Sequence, residues 1–533
     1  SLVILDISKS DYYSRQDTYK DGNKTLALIV ESLPNLMSLD ISGTNLDGEG
    51  RLEHSMYESL SGNISDIPGL EHRVDNPLEF IGLFRTMHNA CQRQNIPAKR
   101  ISGDANEEQL FNCVFSSMEK PELLRHSLGY LMNLGLACQL TAQIDHAPDT
   151  VLKALSSHVK NEYIQLNGSA VIYYILKNKD LPLFNDIKMK RRIVTTLLTG
   201  MEHQNNDGQL AYYVCMSLNK LTQDMMFEFK RLVKMLLHVL LCQTSRDRVG
   251  LLGVVYVFKV LNSVASQANN RQKNELGDAY AIEIMISILN AIFRGRQHSN
   301  VVEITWSIMR NLTDNAPNNS EIFLNEDGLE CFLECLQTFW YQNRLKTEML
   351  RLIGNIAQVK ELRSRLMESQ YIRKFSNLVF PIQDEIKISY YAVRIIAYLA
   401  SDGYEVWNIK EPSRNIVLDR LTTAILGWDL DSDLGIIQHS FESILQLAQV
   451  RHTPQCIHYA TWSLANFTKK YPEKYCSMVI AKGGLRIMSE LLEDQSILYM
   501  KNQCEAIHGL SQIVINQCLM QCFSTFLLWQ PPF

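Results

Sequence analysis

Apolar helical segments along this chain recur at a fixed interval, and that interval limits the possible folds more than any other feature. Asn133, Leu176, Asn219 and Asn262 hold equivalent places in successive segments and lie 43 residues apart. Within each segment apolar residues recur at i, i+3, i+4 and i+7, which is typical of amphipathic helices. An interval of about 40 to 47 residues in a helical chain is the period of armadillo or HEAT repeats. The sequence therefore predicts a stack of helical repeats.

The same interval continues to both sides of these segments, with one interruption. Tyr398 and Asn466 are 68 residues apart, which is one repeat plus an insertion of about 25 residues. The other equivalent positions are Asn89, Asn311, Asn355 and Gly509. Two Gly-Leu steps, at Gly328 and Gly484, each precede an amphipathic helix. Such a step is typical of the turn into an armadillo helix because Gly supplies the backbone angles of a sharp turn. We expect about nine or ten armadillo-like repeats.

A different pattern occupies the start of the chain. Leu36, Leu39 and Ile41 have the spacing L-x-x-L-x-L, and the segment Leu2–Ile7 repeats it. In a leucine-rich repeat each such segment is a short strand whose apolar side chains point into a stack of neighbours. Because one or two repeats cannot bury that face alone, we expect the chain to begin inside a longer leucine-rich array.

These patterns divide the chain into four predicted segments. Residues 1–46 end a leucine-rich array, and residues 47–77, which are punctuated by Gly and Pro, form a linker. Residues 78–515 form the armadillo-like domain, and residues 516–533, which lack a polar face and a repeat phase, form an irregular C-terminal tail. The predicted fold class is all-α, an armadillo-like α-solenoid (superhelix) preceded by a short remnant of leucine-rich repeats.

Composition argues against several functional classes. The net charge is −5 and the pI is near 6.2, without the basic surplus of a nucleic-acid-binding protein. No run of about 18 apolar residues could span a bilayer, and the first residues, Ser1–Asp6, are unlike a signal peptide. The 12 cysteines are scattered, as expected for thiols in a reducing compartment. We expect a cytoplasmic or nuclear protein that binds neither nucleic acid nor membrane, and the missing initiator Met suggests a fragment.

The sequence contains no recognisable catalytic or metal-binding motif. There is no G-x-x-x-x-G-K-[ST] loop, no G-x-G-x-x-G, no H-E-x-x-H and no paired C-x-x-C. Cys331 and Cys335 are four residues apart, as are Cys518 and Cys522, but no second pair or nearby His completes a zinc site. We expect buried thiols here, and a protein that has no metal, no cofactor and no enzymatic activity.

Asn recurs in the helix that would line the wall of the stack, although Asn is slightly unfavourable inside helices. One interpretation is that these amides meet the backbone of an extended peptide, since one amide both donates and accepts. The other is that they tie one repeat to the next, and the sequence leaves both open. Trp462 and Asn466 are four residues apart and share a helix face. This pair predicts an aromatic platform beside an amide, with a buried core Trp as the alternative.

Two neighbouring windows resemble a known family. The window Thr305–Asp314 reads T-W-S-I-M-R-N-L-T-D, and Gly354–Val359 follows one repeat later as G-N-I-A-Q-V. Both resemble the Zyg-eleven and Zer subfamily of cullin-2 ubiquitin ligase substrate receptors, and details of the first window suggest the A-type paralogue. The order of leucine-rich repeats followed by armadillo repeats also matches. The resemblance implies an adaptor that binds substrate proteins in its groove, including proteins with an N-terminal glycine. It implies docking on elongin B/C and cullin-2 through an upstream region that is not in this chain.

The resemblance also implies a set of peptide-binding residues. The positions that match the family's glycine pocket are Arg310, Asn311, Asp314, Asn355 and Gln358. Asn311, Asp314 and Asn355 fit the family pattern, whereas Arg310 replaces a Trp and Gln358 replaces a Glu. An N-terminal ammonium favours carboxylates, so both replacements should weaken glycine binding. Arg310 either places a positive charge next to the expected ammonium or pairs with Asp314, four residues on, and neutralises it; either outcome should weaken glycine binding.

A second functional class is an armadillo adaptor of the nuclear-transport or scaffold type. That class repeats Trp–Asn pairs through many consecutive repeats and surrounds them with acidic residues. Here only Trp462 and Asn466 form such a pair, so the ligase receptor is the favoured prediction.

Overall fold

A computed structural model describes residues 2–10, 19–48, 65–141, 146–178, 186–204, 207–221, 225–242, 248–295, 300–380, 385–434, 442–494 and 501–528. The chain divides into two compact units, Ser1–Val264 and Ala265–Phe533. Each unit is built from repeats whose helices pack on those of the next repeat.

The first unit begins with a sheet of parallel strands. The strands, in order, are β1 (Ile4–Asp6), β2 (Ser38–Asp40), β3 (Leu78–Gly82) and β4 (Ala98–Ser102). Leu39 of β2 pairs with Leu5 on one side and Ile81 on the other. Leu39 and Ile81 are fully buried, together with Leu26 of α1 (Gly22–Ser32). Each repeat thus buries its apolar face on the next, as in a leucine-rich array.

The predicted boundaries at residues 46 and 78 are wrong. Because β3 and β4 continue the sheet, the leucine-rich array runs to Ser102, and the helical repeats begin at α2 (Glu107–Ser116). In the predicted linker, Ile67 and Leu70 are fully buried in the core of the array, and residues 49–64 lie outside the described ranges. Strands of three to five residues separated by Gly- and Pro-containing turns have the composition of a linker, which explains the error.

Lys120 ties the first helical repeat to the sheet. Asp6 and Asp40 are paired positions on β1 and β2, so their two carboxylates lie side by side. The Lys120 ammonium contacts Asp6 and donates to Asp40 Oδ2 at 3.0 Å and to Ser8 Oγ at 2.6 Å. Burial alone would lower the pKa of Lys120, but hydrogen bonds to the two carboxylates raise it. Gly82 is needed beside this group, since a Cβ there would lie 2.1 Å from Asp40 Oδ1.

We expect Lys120→Met to lower the free energy of unfolding by about 1–3 kcal/mol, because the buried Asp40 carboxylate would lose its cation. The pKa of Asp6 is lowered: burial raises it, but hydrogen bonds from Lys120 and Ser8 outweigh that effect. A depressed folded pKa gives stability above the ordinary value of 3.8, and that stability is lost as the pH falls through the folded pKa. Urea unfolding at about pH 6 and pH 3 should therefore show a larger acid loss in the wild type than in Lys120→Met.

The control for this variant is Lys99→Met, which breaks an exposed pair 2.6 Å long with Glu79. Exposed pairs of this kind contribute less than about 1 kcal/mol. Equal stability of the two variants would contradict the role assigned to Lys120.

The helices of the first unit form two rows. They are α2, α3 (Pro121–Leu136), α4 (Ala147–Ser157), α5 (Glu162–Lys177), α6 (Ile187–His203), α7 (Gly208–Leu218), α8 (Phe229–Cys242) and α9 (Arg248–Gln267). In one row α3 packs on α5 and α5 on α7, and in the other α4 packs on α6 and α6 on α8. Asn161, Asp186 and Asp207 each cap the following helix by accepting hydrogen bonds from its first backbone amides.

The second unit has mostly three helices per repeat. Its helices are α10 (Asn270–Asp278), α11 (Ala281–Gly295), α12 (Asn300–Thr313), α13 (Pro317–Asn325), α14 (Gly328–Thr338), α15 (Asn343–Gln358), α16 (Ser369–Leu378), α17 (Ile386–Ala400), α18 (Arg414–Gly427), α19 (Glu442–Leu447), α20 (Pro454–Lys470), α21 (Pro472–Ala481), α22 (Gly484–Glu493) and α23 (Lys501–Leu528). The long helices α12, α15, α17, α20 and α23 pack on one another in that order.

The predicted interval is the spacing of these long helices. The equivalent positions from Asn133 to Gly509 fall on, or directly after, α3, α5, α7, α9, α12, α15, α17, α20 and α23. Asn89 is the exception, since it lies in a turn of the leucine-rich array with φ 50°. The prediction of armadillo-like helical repeats preceded by leucine-rich repeats is confirmed.

Both Gly-Leu steps open a helix, but the residue with a left-handed backbone conformation is the one before the glycine of the step. Asp327 precedes α14 with φ 56°, and Gly483 precedes α22 with φ 74°. Gly328 is required for a different reason, since a Cβ there would lie 2.5 Å from Phe323. The glycine thus allows the incoming helix to approach its neighbour closely.

The predicted irregular tail at residues 516–533 is wrong over most of its length. Residues 516–528 continue α23 as one helix of 28 residues, and residues 529–533 lie outside the described ranges. Val514 and Cys518 are fully buried, while Met520 and Phe523 are exposed. The apolar side chains therefore surround the helix, which explains why no polar face was visible in the sequence.

Candidate peptide-binding surface

The long helices of two successive repeats, α12 and α15, bring the residues of the predicted pocket to one place. Arg310 and Asn311 lie in the last turn of α12, and Asp314 directly follows that helix. Asn355 and Gln358 lie in the last turn of α15, which packs on α12. We call the side of α12 and α15 that carries these residues, together with Arg394 on the next long helix, α17, the helix-end surface.

Arg310 pairs with Glu348 and not with Asp314, which was one of the two outcomes that the sequence left open. Its Nε donates to Glu348 Oε2 at 2.6 Å, and its Nη2 donates to Ser307 Oγ at 3.3 Å. Arg351 donates to the other oxygen of Glu348 at 3.0 Å. Side chains on stacked helices reach across to the next helix, so a partner on α15 is closer than one further along α12. Burial and the neighbouring Arg351 lower the pKa of Arg310, and Glu348 opposes both effects.

Asp314 has a different cationic partner. Lys273 of α10 donates to the backbone carbonyl of Asp314 at 2.7 Å and lies 3.5 Å from its Oδ2. The Asp314 side chain is 29% exposed, so its carboxylate still faces solvent. A ligand ammonium at this site would share the carboxylate with Lys273.

Asn355 acts as a tie between repeats. Its Nδ2 donates to the backbone carbonyl of Arg310 at 3.1 Å and to Thr313 Oγ1 at 3.3 Å. Asn355 and Asn311 are 9% and 8% exposed. For Asn355 these contacts favour the structural interpretation that the sequence left open, since its amide hydrogens are already engaged.

Gln358 contacts an arginine of the next repeat. Its Oε1 accepts a hydrogen bond from Arg394 Nη2 of α17 at 3.2 Å. The Arg394 guanidinium lies over the Gly354 backbone, with its Nε 3.6 Å from the place a Cβ would occupy, and 5.8 Å from the centre of the Tyr398 ring. Gln358 therefore presents its oxygen to a cation of the protein.

Trp462 and Asn466 are not an exposed platform. Trp462 is 3% exposed, and its ring centre lies 4.8 Å from that of Trp428 and 6.0 Å from that of Tyr390. Asn466 is 2% exposed, and its Nδ2 donates to the carbonyls of Leu430 and Ser432 at 2.8 and 3.1 Å. The pair holds the segment that follows α18, so the predicted peptide platform is wrong and the core alternative is correct.

Sequence reasoning missed the charged residues that surround the predicted pocket. These are Lys273, Glu348, Arg351 and Arg394. A sequence signal was available for Arg351 and Arg394. Arg351 lies 44 residues after Ser307, and Arg394 lies 43 residues after Arg351, so the three positions follow the repeat interval. Equivalent positions in successive repeats face the same side of the stack.

Three of the four paired cysteines are buried thiols, as the sequence predicts, and the prediction is wrong for the fourth. Cys331, Cys335 and Cys518 are buried, whereas Cys522 is exposed. Burial raises the pKa of Cys335 to about 12, which keeps it a neutral, unreactive thiol. Within the described ranges, no three His, Cys, Asp or Glu side chains group as metal ligands would.

The described helices differ from membrane-spanning helices in length or in apolar content. No single one is long and apolar enough to cross a bilayer. One pair, Asn270–Asp278 and Ala281–Phe293, meets the length and composition together but is bent by 59°.

Two family models match the chain. One is described as Protein zer-1 homolog-like, C-terminal domain, and matches residues 153–520. The other is described as Zer-1-like, leucine-rich repeats, and matches residues 1–86, which agrees with strands β1 to β3.

Named relatives are similar over most of this chain. It is 35% identical to Protein zer-1 homolog of Drosophila melanogaster, covering 97% of this chain and 69% of that protein. It is 34% identical to Protein zer-1 homolog of Mus musculus, covering 92% of this chain and 62% of that protein. It is also 34% identical to Zyg eleven-related protein 1 of Caenorhabditis elegans, covering 92% and 54%. The A-type paralogue is not confirmed.

The chain thus spans less than two thirds of the mouse and nematode relatives. Among solved structures, one titled for the interaction between cadherin and beta-catenin is similar with a TM-score of 0.44 and 14% identity, covering 78% of this chain and 83% of that chain. That likeness is too weak to support an argument about function.

Proposed function

Since this chain belongs to the Zer-1 family, we propose that it is the substrate-recognition part of a cullin-2 RING ubiquitin ligase. It binds protein termini or extended peptides on the helix-end surface and catalyses no step itself. Elongin B/C and cullin-2 bind through a region upstream of this chain. The observation that supports the proposal is a surface on which three successive repeats contribute charged and amide side chains side by side.

A protein-binding role also agrees with the chemistry of that surface. Its polar groups come from helices, apart from Asp314 directly after α12, and such preorganisation limits the entropy lost when a peptide binds. The surface carries no group of described residues suited to hold a metal. Ubiquitin transfer then belongs to the partner proteins of the ligase, and this chain determines which protein is presented.

The helix-end surface should read an N-terminal glycine poorly. A free ammonium needs carboxylates, and Asp314 already contacts Lys273, while Gln358 carries no charge. Arg394 and Arg310 add positive charge beside the place that an ammonium would occupy. Like charges at about 4 Å repel by about 4 kcal/mol at the effective dielectric constant of a protein surface.

Titration of a glycine-terminated peptide in free-amine and acetylated forms tests this expectation. We expect the wild type to bind the two forms with affinities within about threefold of each other, because no uncompensated carboxylate is available. The double variant Arg310→Trp, Gln358→Glu should bind the free amine about tenfold more tightly than the wild type does. Adding Arg394→Gln should increase that gain, because Arg394 would otherwise neutralise the new carboxylate.

The matched control is Arg344→Trp, which changes an exposed arginine on α15 that pairs with Glu303. It should leave both affinities unchanged. A strong affinity of the wild type that depends on the free amine would refute the expectation that N-terminal glycine is bound weakly. The ligase role has a separate test, which is co-purification of an upstream-extended chain with elongin and cullin-2.

The nuclear-transport alternative depended on an accessible Trp–Asn pair. Trp462 and Asn466 are buried, and no contact in the described part of the chain favours that class over the ligase receptor.

A further inference from the structure

One arginine of the helix-end surface is buried without a carboxylate. Arg394 is 7% exposed, and among the described residues its side chain makes one hydrogen bond, from Nη2 to the neutral oxygen of Gln358 at 3.2 Å. Its Nε is buried and has no hydrogen-bond acceptor. No carboxylate of the described residues forms an ion pair with it. A buried cation that lacks a counter-ion is costly, and proteins usually pair such a group.

The surroundings of Arg394 keep it charged and leave two buried hydrogen-bond donors unsatisfied. Burial lowers its pKa, but the tyrosines around it, Tyr398 and Tyr459 foremost, raise the pKa overall. The Tyr398 hydroxyl is likewise buried without a hydrogen-bond partner. The guanidinium also lies next to Gly354, where a Cβ would be 3.6 Å from Arg394 Nε and 3.8 Å from Arg394 Cζ. Arg394 Nε and the Tyr398 hydroxyl are thus two unused donors beside one fixed positive charge.

The charges next to this group have the same sign. Arg310 and Arg351 share one carboxylate, that of Glu348, at 2.6 and 3.0 Å. Asp314, the other acid of the surface, is 3.5 Å from Lys273. Among these named groups four cations therefore face two carboxylates, and the surplus positive charge lies on the side of α17.

We propose that Arg394 binds a carboxylate of an extended peptide at the helix-end surface. A guanidinium presents its N–H groups in the planar arrangement that matches the two oxygens of a carboxylate. The ligand takes the place of the missing counter-ion. The proposal rests on the peptide-binding function proposed above and changes the charge that the surface selects, from an ammonium to an anion.

A set of synthetic peptides with one uncharged Ala-Ser sequence tests the proposal and separates two sources of the carboxylate. One peptide has a free C-terminal carboxylate, one has a C-terminal amide, and one has the amide together with a single internal Glu; all are N-acetylated and fluorescently labelled. We expect at least one carboxylate peptide to bind the whole chain about tenfold more tightly than the uncharged peptide. The preferred peptide identifies a chain terminus or an acidic side chain as the source.

Variants of the chain assign that preference to Arg394. Arg394→Gln should abolish it and Arg394→Lys should keep part of it, because Lys keeps the charge but loses the planar fork. Arg344→Gln, which changes an exposed arginine of α15, should keep all of it. Thermal melting of each variant verifies that the fold is intact, and the preference should fall as the salt concentration rises.

Each outcome supports or overturns the proposal. If all three peptides bind the wild type equally, or if folded Arg394→Gln retains the preference, the carboxylate site is refuted while peptide binding stands. If none of the peptides binds and a glycine-terminated peptide does not bind either, both the carboxylate site and the proposed binding surface are refuted.

Discussion

Replacement of Arg93 by Met is expected to reduce the local stability of the leucine-rich array by about 3–5 kcal/mol. The Arg93 side chain is 4% exposed and acts as a hub among turns that are distant in sequence. It donates to the backbone carbonyls of Gly48, Asp47 and Asp66 at 2.7, 2.9 and 2.9 Å, and to that of His88 at 3.3 Å. Without it these part-buried acceptors lose their donor.

The Asp47 carboxylate adds to this cost. Its side chain is fully buried and lies 3.9 Å from the Arg93 guanidinium. Its other contacts are the His88 backbone amide at 2.8 Å and the His88 ring at 3.3 Å. Removing one member of a buried charge pair leaves the other uncompensated, which costs more than the pair itself contributes.

Native-state hydrogen exchange of the β2 and β3 amides measures this loss locally, so that the second unit does not affect the result. Arg100→Met is the matched control, because Arg100 lies on β4 of the same array and is exposed. The control should change protection by less than about 0.5 kcal/mol. Protection in Arg93→Met that equals that of the control would refute the role of Arg93 as a hub.

The helical part of the fold could be predicted because its signal is repeated. The 43-residue interval places Asn133, Leu176 and Asn219 on, or directly after, successive long helices, so an error in one repeat is corrected by its neighbours. The leucine-rich part gave a weaker signal. β1 and β2 have only three residues each, and the buried Ile67 and Leu70 lie among Gly and Pro residues that resemble a linker.

The candidate site could be predicted in part. The spacing and the family resemblance place Arg310, Asn311 and Asn355 on one surface, since that depends on which helix turn each residue occupies. The pairings could not be predicted in the same way. Arg310 reaches Glu348 and Gln358 reaches Arg394 because side chains cross to the next helix, and that depends on the direction of each side chain. A spacing of four residues along one helix carries no information about such contacts.

Trp462→Ala is expected to lower the free energy of unfolding of the second unit by about 3–5 kcal/mol, the usual effect of removing a large buried aromatic side chain. Trp462 projects from α20 and packs against the rings of Trp428 and Tyr390. Its loss would leave a cavity beside the rings of Trp428 and Tyr390, which contact it in edge-to-face and tilted arrangements. Trp428 also donates from Nε1 to Ser389 Oγ at 3.0 Å, so the disturbance would reach α17.

The control is Trp340→Ala, which removes the same indole side chain from an exposed position. Trp340 is 64% exposed, so its removal should change stability by less than about 1 kcal/mol. Urea unfolding of the two variants measures the difference, and peptide titration measures binding on the same samples. If Trp462 formed a peptide platform, its removal would weaken binding and leave stability near that of the Trp340 variant. Because the Trp462 ring is 3% exposed and packs against Trp428 and Tyr390, we expect the reverse. The variant should lose much of its stability, and its folded fraction should retain the carboxylate preference at Arg394.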